Sequence, residues 1–341
     1  MSQPKVAVVI LNWNGKKFLE KFLCSVMKFS TDVAEVIVAD NASTDDSISY
    51  LKLYFPTVRI IEMPVNAGYT GGYNQALKQI EADYFILLNS DIEVTPNWIS
   101  PIIDLMESDK SIAACQPKIL DYNNIKKFEY AGAGGGFIDF LGYPFCRGRI
   151  FNNLEEDNGQ YNDITEVFWA TGACMFVRAE SFFKAGGFDD DFFAHMEEID
   201  LCWRFKRLGF KIKYCGKSSI LHVGGGTLSK NNPRKTYYNF RNNLFLLTKN
   251  LPLIQLLFVM TFRPALDKIA AISFLLKGNV KDFIAVHKAW ISFLSNACKM
   301  RKKDKEIVRV KVGKIYKRSI ILCSIVLRKK AFSQLKKESF S

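Results

Sequence analysis

Side chains able to bind a cation, hold a proton or grip a phosphate gather where the apolar runs of this chain stop. Residues 84–88, YFILL, run straight into Asn89, Ser90 and Asp91. A short unbroken apolar run reads as a strand buried on both faces, and sheets of such strands bind ligands beyond their carboxyl ends. Asp91 therefore stands where a carboxylate reaches a divalent cation or a sugar hydroxyl, and hard cations take oxygen ligands. Asp40 closes a second apolar run in the same way. A third acidic group, Glu197, Glu198 and Asp200, lies in the stretch FFAHMEEIDLCWR. Read as a helix, that stretch sets Leu201 and Phe205 on one face with Glu197 or Glu198. A carboxylate rooted in apolar surroundings beside another carboxylate holds its proton more tightly, which suits a general base acting on an alcohol. Asp200 and Arg204 are spaced to pair at i,i+4.

Three further features fit the same chemistry. His222, one of three histidines, ends a strand-like run before a glycine triplet. A neutral imidazole there can complete a cation's coordination or contact phosphate. Arg241 offers a permanent charge for a diphosphate. In the stretch NAGYTGGYN, Asn66 and Gly68 precede Gly71 and Gly72. Glycines of this kind let backbone amides approach a phosphate or ribose at a helix start. Their spacing matches neither GxGxxG nor the Walker A loop, which argues against a dinucleotide or ATP site.

These residues need a frame. Strands are expected at residues 6–11, 36–39, 58–62 and 84–88. Helices fall between them at 16–29, 47–55 and from the glycine-rich stretch to about 81. Strands alternating with helices imply βαβ units and a parallel sheet, with a nucleotide-binding half at residues 1–92. Beyond it the pattern loosens into an acceptor and catalytic half at 93–250. There we expect a helix at 98–107, a strand at 112–119 and a buried strand at 167–177 interrupted by Gly172. A long helix at 192–208 and two strands at 210–215 and 219–223 follow.

The charge is unevenly spread. Residues 244–341 hold 21 Lys/Arg against 5 Asp/Glu, and the rest 26 against 29, so the whole net +13 belongs to the last third. With 48% hydrophobic and 24% charged residues, wholesale disorder is excluded. The region 251–341 reads as basic and amphipathic. Its apolar stretches 251–262 and 265–276 are divided by Arg263-Pro264 and are too short for a span of about 20 residues. Helices lying in a membrane interface fit them, with Lys299, Arg301, Lys302 and Lys303 as a cluster for anionic lipid. A core or dimer-contact role is the alternative. The eight cysteines form no CxxC pair, which suits reduced thiols in the cytosol. No signal peptide is visible, so a cytoplasmic site is expected, peripheral to the inner face of the plasma membrane.

Taken in order, VVILNWNG, VADNASTDDS, NAGYTGGYN, LLNSD, TGACMFVRAE, GGFDDDFFAHMEEIDLCWR and HVGGGT resemble the inverting family 2 glycosyltransferases of the GT-A fold, in particular bacterial rhamnosyltransferase-like members. The likeness covers about residues 5–252. It implies a Rossmann-like α/β sandwich with a mostly parallel central sheet, followed by the amphipathic helical segment. By this resemblance Asn12 and Asp40 hold the nucleoside, Asn66 and Gly68 line its pocket, and Asp91 binds Mg2+ or Mn2+ as the last residue of a DxD-like motif. Asn89 replaces that motif's first aspartate. Glu198 corresponds to the usual base, with Glu197 as its rival, while Trp169 and Gly172 line the acceptor side and His222 assists the metal. The implied donor is dTDP-rhamnose or a UDP-sugar, and the acceptor a cell-surface glycan or lipid-linked precursor. No nucleic-acid partner is expected. A nucleotidyltransferase and a non-catalytic nucleotide-sugar binder are the competing readings.

Overall fold

Alternate residues of the central strands divide between two cores, because successive side chains of a strand point to opposite faces. In the computed structural model, which describes residues 3–224, 232–303 and 310–341, β1 (Val6–Asn12) sends Ala7 and Val9 to one core and Val8 and Ile10 to the other. Next come α1 (Lys16–Ser30), β2 (Glu35–Asp40), α2 (Ser47–Tyr54), β3 (Arg59–Glu62), α3 (Gly68–Leu77) and β4 (Tyr84–Asn89). The helix α1 buries Leu19, Phe22, Leu23 and Val26 on one stripe. Each such side chain contributes roughly 1.5–3 kcal/mol when removed from water.

The strands β3, β2, β1 and β4 lie side by side and parallel. The sheet continues through β5 (Ile92–Val94), α4 (Ser100–Ser108), β6 (Ile112–Asp121) and β7 (Asn124–Phe128). A smaller sheet is built from β8 (Gly136–Asp139), β9 (Pro144–Cys146), β10 (Arg149–Ile150) and β11 (Asn153–Leu154). The chain then adds β12 (Ile164–Glu166), β13 (Cys174–Arg178), α5 (Ala179–Lys184), α6 (Glu197–Arg207) and β14 (Lys211–His222). The large sheet runs β12-β14-β6-β13-β4-β1-β2-β3, with β13 and β12 antiparallel to their neighbours. The α/β fold with a mostly parallel central sheet is therefore as expected.

Several expected elements differ. The helix expected at 192–208 begins only at Glu197, because Phe193, His195 and Met196 take positive φ of 64°, 70° and 70°. Of the strand expected at 167–177, only Cys174–Arg178 is regular. Upstream, the chain is held by hydrogen bonds from Phe168 N–H to Gly136 O and Thr171 N–H to Gln116 Oε1. The two strands expected at 210–223 are one, β14, with a bulge between Cys215 and Ser219.

The last third forms α7 (Pro233–Asn250), α8 (Leu253–Leu276), α9 (Val280–Lys303), β15 (Ile315–Tyr316) and α10 (Ile320–Ile325). Arg263-Pro264 does not divide two helices; α8 runs through it. Proline there removes one helical hydrogen bond, while buried Arg263 pins the spot by donating to Asn243 Oδ1 (2.5 Å) and pairing with Asp267 (3.2 Å). Leu256, Val259, Phe293 and Met300 share a core with the central sheet, and β15 pairs with β8. Among the described residues, no helix is long and apolar enough to cross a membrane.

Candidate active site

Strand register brings the first group of polar residues together. Asn12 pairs with Asp40 between β1 and β2, and Leu11 with Asn89 between β1 and β4. All three polar residues therefore lie at the carboxyl end of adjacent parallel strands, about 4.8 Å apart. Asn12 is fully buried and donates from Nδ2 to Asp40 Oδ1 (3.0 Å) and Ser43 Oγ (3.1 Å). The second Asp40 oxygen accepts the Ser43 N–H at 2.9 Å. Asn12 Oδ1 is buried without a hydrogen-bond partner among the described residues.

Asn66 accepts the Gly68 N–H (2.9 Å) and an Asn41 Nδ2 hydrogen (3.1 Å). Asn41 also donates to Gly68 O and accepts from Ala67 N–H, tying this loop to the end of β2. The glycines have a different use from the one their type suggests. Gly68, Gly71 and Gly72 belong to α3 itself. A Cβ on Gly72 would come 2.8 Å from Leu11 Cδ1, and one on Gly71 2.7 Å from Ala67 Cβ. Gly68, at φ +72°, lies against the Phe193 ring. They permit close packing of α3 on its neighbours rather than an opening for a ligand.

Asp91 follows β4 and is buried, with His222 at its side. His222 Nε2 lies 3.1 Å from Asp91 Oδ1, and Nδ1 lies 3.2 Å from Glu129 Oε2. Burial alone would push the imidazolium down, but the two carboxylates outweigh it and raise His222 to about 10. Glu129 carried no signal in the sequence; it lies beyond β7 and meets His222 only in the fold. Among the described residues, no three His, Cys, Asp or Glu side chains group as a ready-made metal cage. Asp91 supplies an oxygen donor, and His222, an imidazolium between its two carboxylates, adds a nitrogen donor once a bound cation displaces its proton. That fits a cation whose remaining positions are filled by phosphate oxygens and water, as is usual for Mg2+ in nucleotide sites.

The second carboxylate group stands at the N-terminus of α6, where the helix dipole favours negative charge. Asp200 is fully buried and structural. It pairs with Arg204 and Lys249 at 2.8 Å each and accepts from Asn250. Burial raises its pKa, but Lys249 and Arg204 more than offset this and hold it below the ordinary value. Glu197 and Glu198 have no such partner: Oε2 of each is buried without a hydrogen bond among the described residues. Burial, and then Glu198, hold the Glu197 pKa well up. Burial lifts Glu198 to about 7 against the pull of backbone amides at the helix start. Glu197 is 5% exposed, whereas Glu198 is only partly buried.

Tyr69 was not among the expected site residues. Its hydroxyl donates to Gly172 O at 2.7 Å, and burial, Tyr73, Glu197 and Glu198 raise its pKa, so it stays a donor. Asn89 N–H donates to Ala173 O. A short path therefore leads from Asp91 through Asn89, Ala173, Gly172 and Tyr69 to the paired glutamates, so both acidic groups stand at the same end of the sheet.

Two expected residues serve other purposes. Trp169 is not a wall of an open acceptor cleft. Only 4% exposed, it packs on Gly136 and donates its indole N–H to Phe137 O (2.9 Å). Arg241 turns from a diphosphate role toward the backbone, donating from Nη2 to Asp191 O (2.9 Å) and Phe192 O (3.1 Å). Its neighbour Asn242 donates to Phe192 O, Ala194 O and His195 O. Together they hold the positive-φ segment that delivers Glu197 and Glu198; such strained residues persist only where surroundings over-determine them. Desolvation, and then nearby Lys235, push the half-buried His195 down to about 4, so it is neutral.

A parallel-centred α/β sheet with a nucleotide-type corner, an Asp–His pair and a buried carboxylate pair at one end defines a sugar-nucleotide transferase class of architecture. Residues 7–183 match the family described as glycosyl transferase family 2. The chain belongs to that family. It is 26% identical over 231 residues to the N-acetylglucosaminyl-diphospho-decaprenol L-rhamnosyltransferase of Mycobacterium tuberculosis, covering 63% of this chain and 75% of that one. To the rhamnosyltransferase WbbL of Escherichia coli it is 27% identical over 146 residues, 41% of this chain and 52% of that one. Among solved structures, GalNAc-T7 with UDP, GalNAc and Mn2+ aligns at TM-score 0.58 and 17% identity, over 73% of this chain and 48% of that chain. The mannosyltransferase PcManGT from Pyrobaculum calidifontis, with GDP-Man and Mn2+, aligns at TM-score 0.51 and 12% identity, over 90% and 88%. These likenesses show the GT-A fold.

Proposed function

We propose that this glycosyltransferase moves a sugar, with inversion, from a dTDP- or UDP-linked donor to a hydroxyl of a cell-surface glycan or lipid-linked precursor. The observation that carries the reading is the pair of buried carboxyl oxygens on Glu197 and Glu198 that no donor among the described residues satisfies, at the sheet end that also holds Asp91. Glu198, raised to about 7 and partly accessible, is the base, and the deeply buried Glu197 keeps its proton. Glu198 takes the acceptor hydroxyl's proton as the oxygen attacks the anomeric carbon. The bond from that carbon to the diphosphate oxygen breaks, and its electron pair leaves with the nucleoside diphosphate. A bound divalent cation, held by Asp91 and His222, would supply positive charge to that leaving group. Asn12, Asp40 and Asn66 form the nucleoside corner, with Asn89 beside it. Tyr69 and Gly172 line the acceptor side. Rhamnose as the sugar is supported by the two rhamnosyltransferases among the relatives named above.

The outer faces of α8 and α9 support attachment to an anionic membrane at the cytoplasmic side. Ile254, Leu257, Phe258, Ile269, Ile272 and Leu276 are exposed along α8, as are Val280, Ile291 and Leu294 along α9. Exposed Lys268, Lys277, Lys281 and Lys288 accompany them. This is the composition of a helix pair lying in an interface. A panel of nucleotide sugars with Mg2+ or Mn2+ tests the activity: released nucleotide should appear for one donor and vanish in Asp91→Ala. Flotation with phosphatidylglycerol vesicles tests the membrane reading: Phe258→Asp should leave the protein in the soluble fraction. Turnover untouched by Asp91→Ala would remove the cation role.

A further inference from the structure

The N-terminal ends of α7 and α9 lie together, joined by a hydrogen bond from Thr236 Oγ1 to Asp282 Oδ1 (2.6 Å). Between them is an open groove of about 670 Å³. Tyr238, Ile284 and Ile291 give it an apolar lining, and Arg234, Lys281 and Lys288 bring three cations to it. No carboxylate among the described residues lines it. On α9, Lys281, Ile284, Lys288 and Ile291 follow one stripe at i, i+3, i+7 and i+10, a length of about 15 Å. Both helix N-termini add partial positive charge at this end.

The groove has two distinct ends. Ile284 and Ile291 belong to the exposed apolar face of the α8–α9 hairpin, so one side opens where lipid would be. At the other, the Tyr238 ring lies nearly parallel to that of Phe193, with centroids 5.6 Å apart. Phe193 O accepts the Tyr69 and Thr70 N–H groups, and Phe193 precedes the Glu197–Glu198 pair by one turn of chain. A ligand seated here thus reaches from the apolar face to the rim of the catalytic segment.

We propose that this groove binds the diphosphate and adjoining lipid chain of a lipid-linked acceptor, with Arg234, Lys281 and Lys288 on the diphosphate and Ile284 and Ile291 along the chain. The proposal rests on the glycosyltransferase reading above. Charge and apolarity must both be present in the ligand: a free phosphate leaves the isoleucines unused, and a neutral lipid leaves three cations unanswered. The groove thereby gives the enzyme a means to choose an acceptor by its anchor as well as by its sugar.

Farnesyl diphosphate is a suitable probe, titrated calorimetrically against the full chain, with inorganic diphosphate and farnesol as partial ligands. The intact protein should bind farnesyl diphosphate at least tenfold more tightly than either. Replacing Arg234, Lys281 and Lys288 together by Ala should weaken it at least tenfold. Ile284→Ser with Ile291→Ser should weaken farnesyl diphosphate but not inorganic diphosphate. All five positions are partly or wholly exposed, and unchanged melting temperatures verify folding. Equal affinity in the intact and triple-alanine proteins would overturn the proposal. So would a triple variant that loses phosphatidylglycerol vesicles while keeping farnesyl diphosphate, because the cations would then serve the bilayer alone. Donor hydrolysis by the unaltered protein is the separate test of the catalytic reading: hydrolysis without farnesyl diphosphate binding removes only the groove.

Discussion

Replacing Glu198 by Gln keeps the shape of the side chain and removes both its charge and its basicity. General-base catalysis contributes about 10²–10⁴-fold, so kcat should fall by that factor, equivalent to roughly 3–5 kcal/mol at 1.36 kcal/mol per decade. The same change should stabilise the fold. In the native protein Glu198 titrates near 7 rather than at its ordinary 4.5. The folded state therefore holds a proton that the unfolded state releases between these values, and stability falls as pH rises through that window. A shift of this size corresponds to about 3 kcal/mol at 1.36 kcal/mol per unit. A buried amide N–H2 costs about 1–3 kcal/mol if it finds no acceptor, and the vacant Glu197 oxygen nearby can serve as one. The net gain above pH 7 is then of order 1–2 kcal/mol, a few degrees in melting temperature, and it should disappear at pH 4.5. Two assays read this out: turnover against pH, in which the native enzyme loses activity below about 7, and melting curves at pH 8 and 4.5. Near-normal turnover in Glu198→Gln would refute the base assignment. A native acid limb far below 7, or a variant less stable at pH 8, would refute the electrostatic reasoning.

Other consequences follow from the supporting residues. Glu129→Gln removes one of the two carboxylates that hold the buried His222 imidazolium, and partners of this kind typically change metal affinity 10–100-fold; a manganese titration of turnover should show a weaker apparent affinity, and the melting temperature at pH 7 should fall because a buried ion pair loses one partner. Arg241→Ala releases the carbonyls of Asp191 and Phe192, each charged hydrogen bond being worth about 1.5–3 kcal/mol. Hydrogen exchange should accelerate in residues 191–196, and kcat should drop more than the donor KM rises.

The parallel half was legible because its strands are buried on both faces and must therefore be apolar throughout; VAVVIL and YFILL admit few other readings. The ends of those strands were legible for the same reason, since a polar residue appears only where burial stops. Phe193, His195 and Met196 were not. Nothing in an isolated Phe, His or Met announces a positive φ; it is imposed from outside by Arg241 and Asn242, some 50 residues later. The glycines of α3 misled in the opposite sense. Glycine type alone does not distinguish a backbone opened for ligand from one closed against Leu11 or Phe193. Glu129 lay beyond reach because its only meaning is its distance to His222.

The basic last third is not a single surface. Lys249 pairs with Asp189 and Asp200, while Lys299 and Lys303 reach Asp191 and Lys303 also reaches Asp189. Lys299 and Lys303 are therefore not part of a free lipid-facing cluster, contrary to expectation; they clamp the chain just before Glu197 and Glu198. Asp189 is held well below the ordinary carboxylate range: burial opposes this, and Lys249 and Lys303 override it. Lys268, Lys277, Lys281 and Lys288 instead face outward. One population of lysines fixes the segment that leads into Glu197 and Glu198, and the other is left for an anionic surface or ligand. Neutralising the first should cost turnover even in detergent, whereas neutralising the second should leave water-soluble donor chemistry intact and impair only reactions that require a lipid.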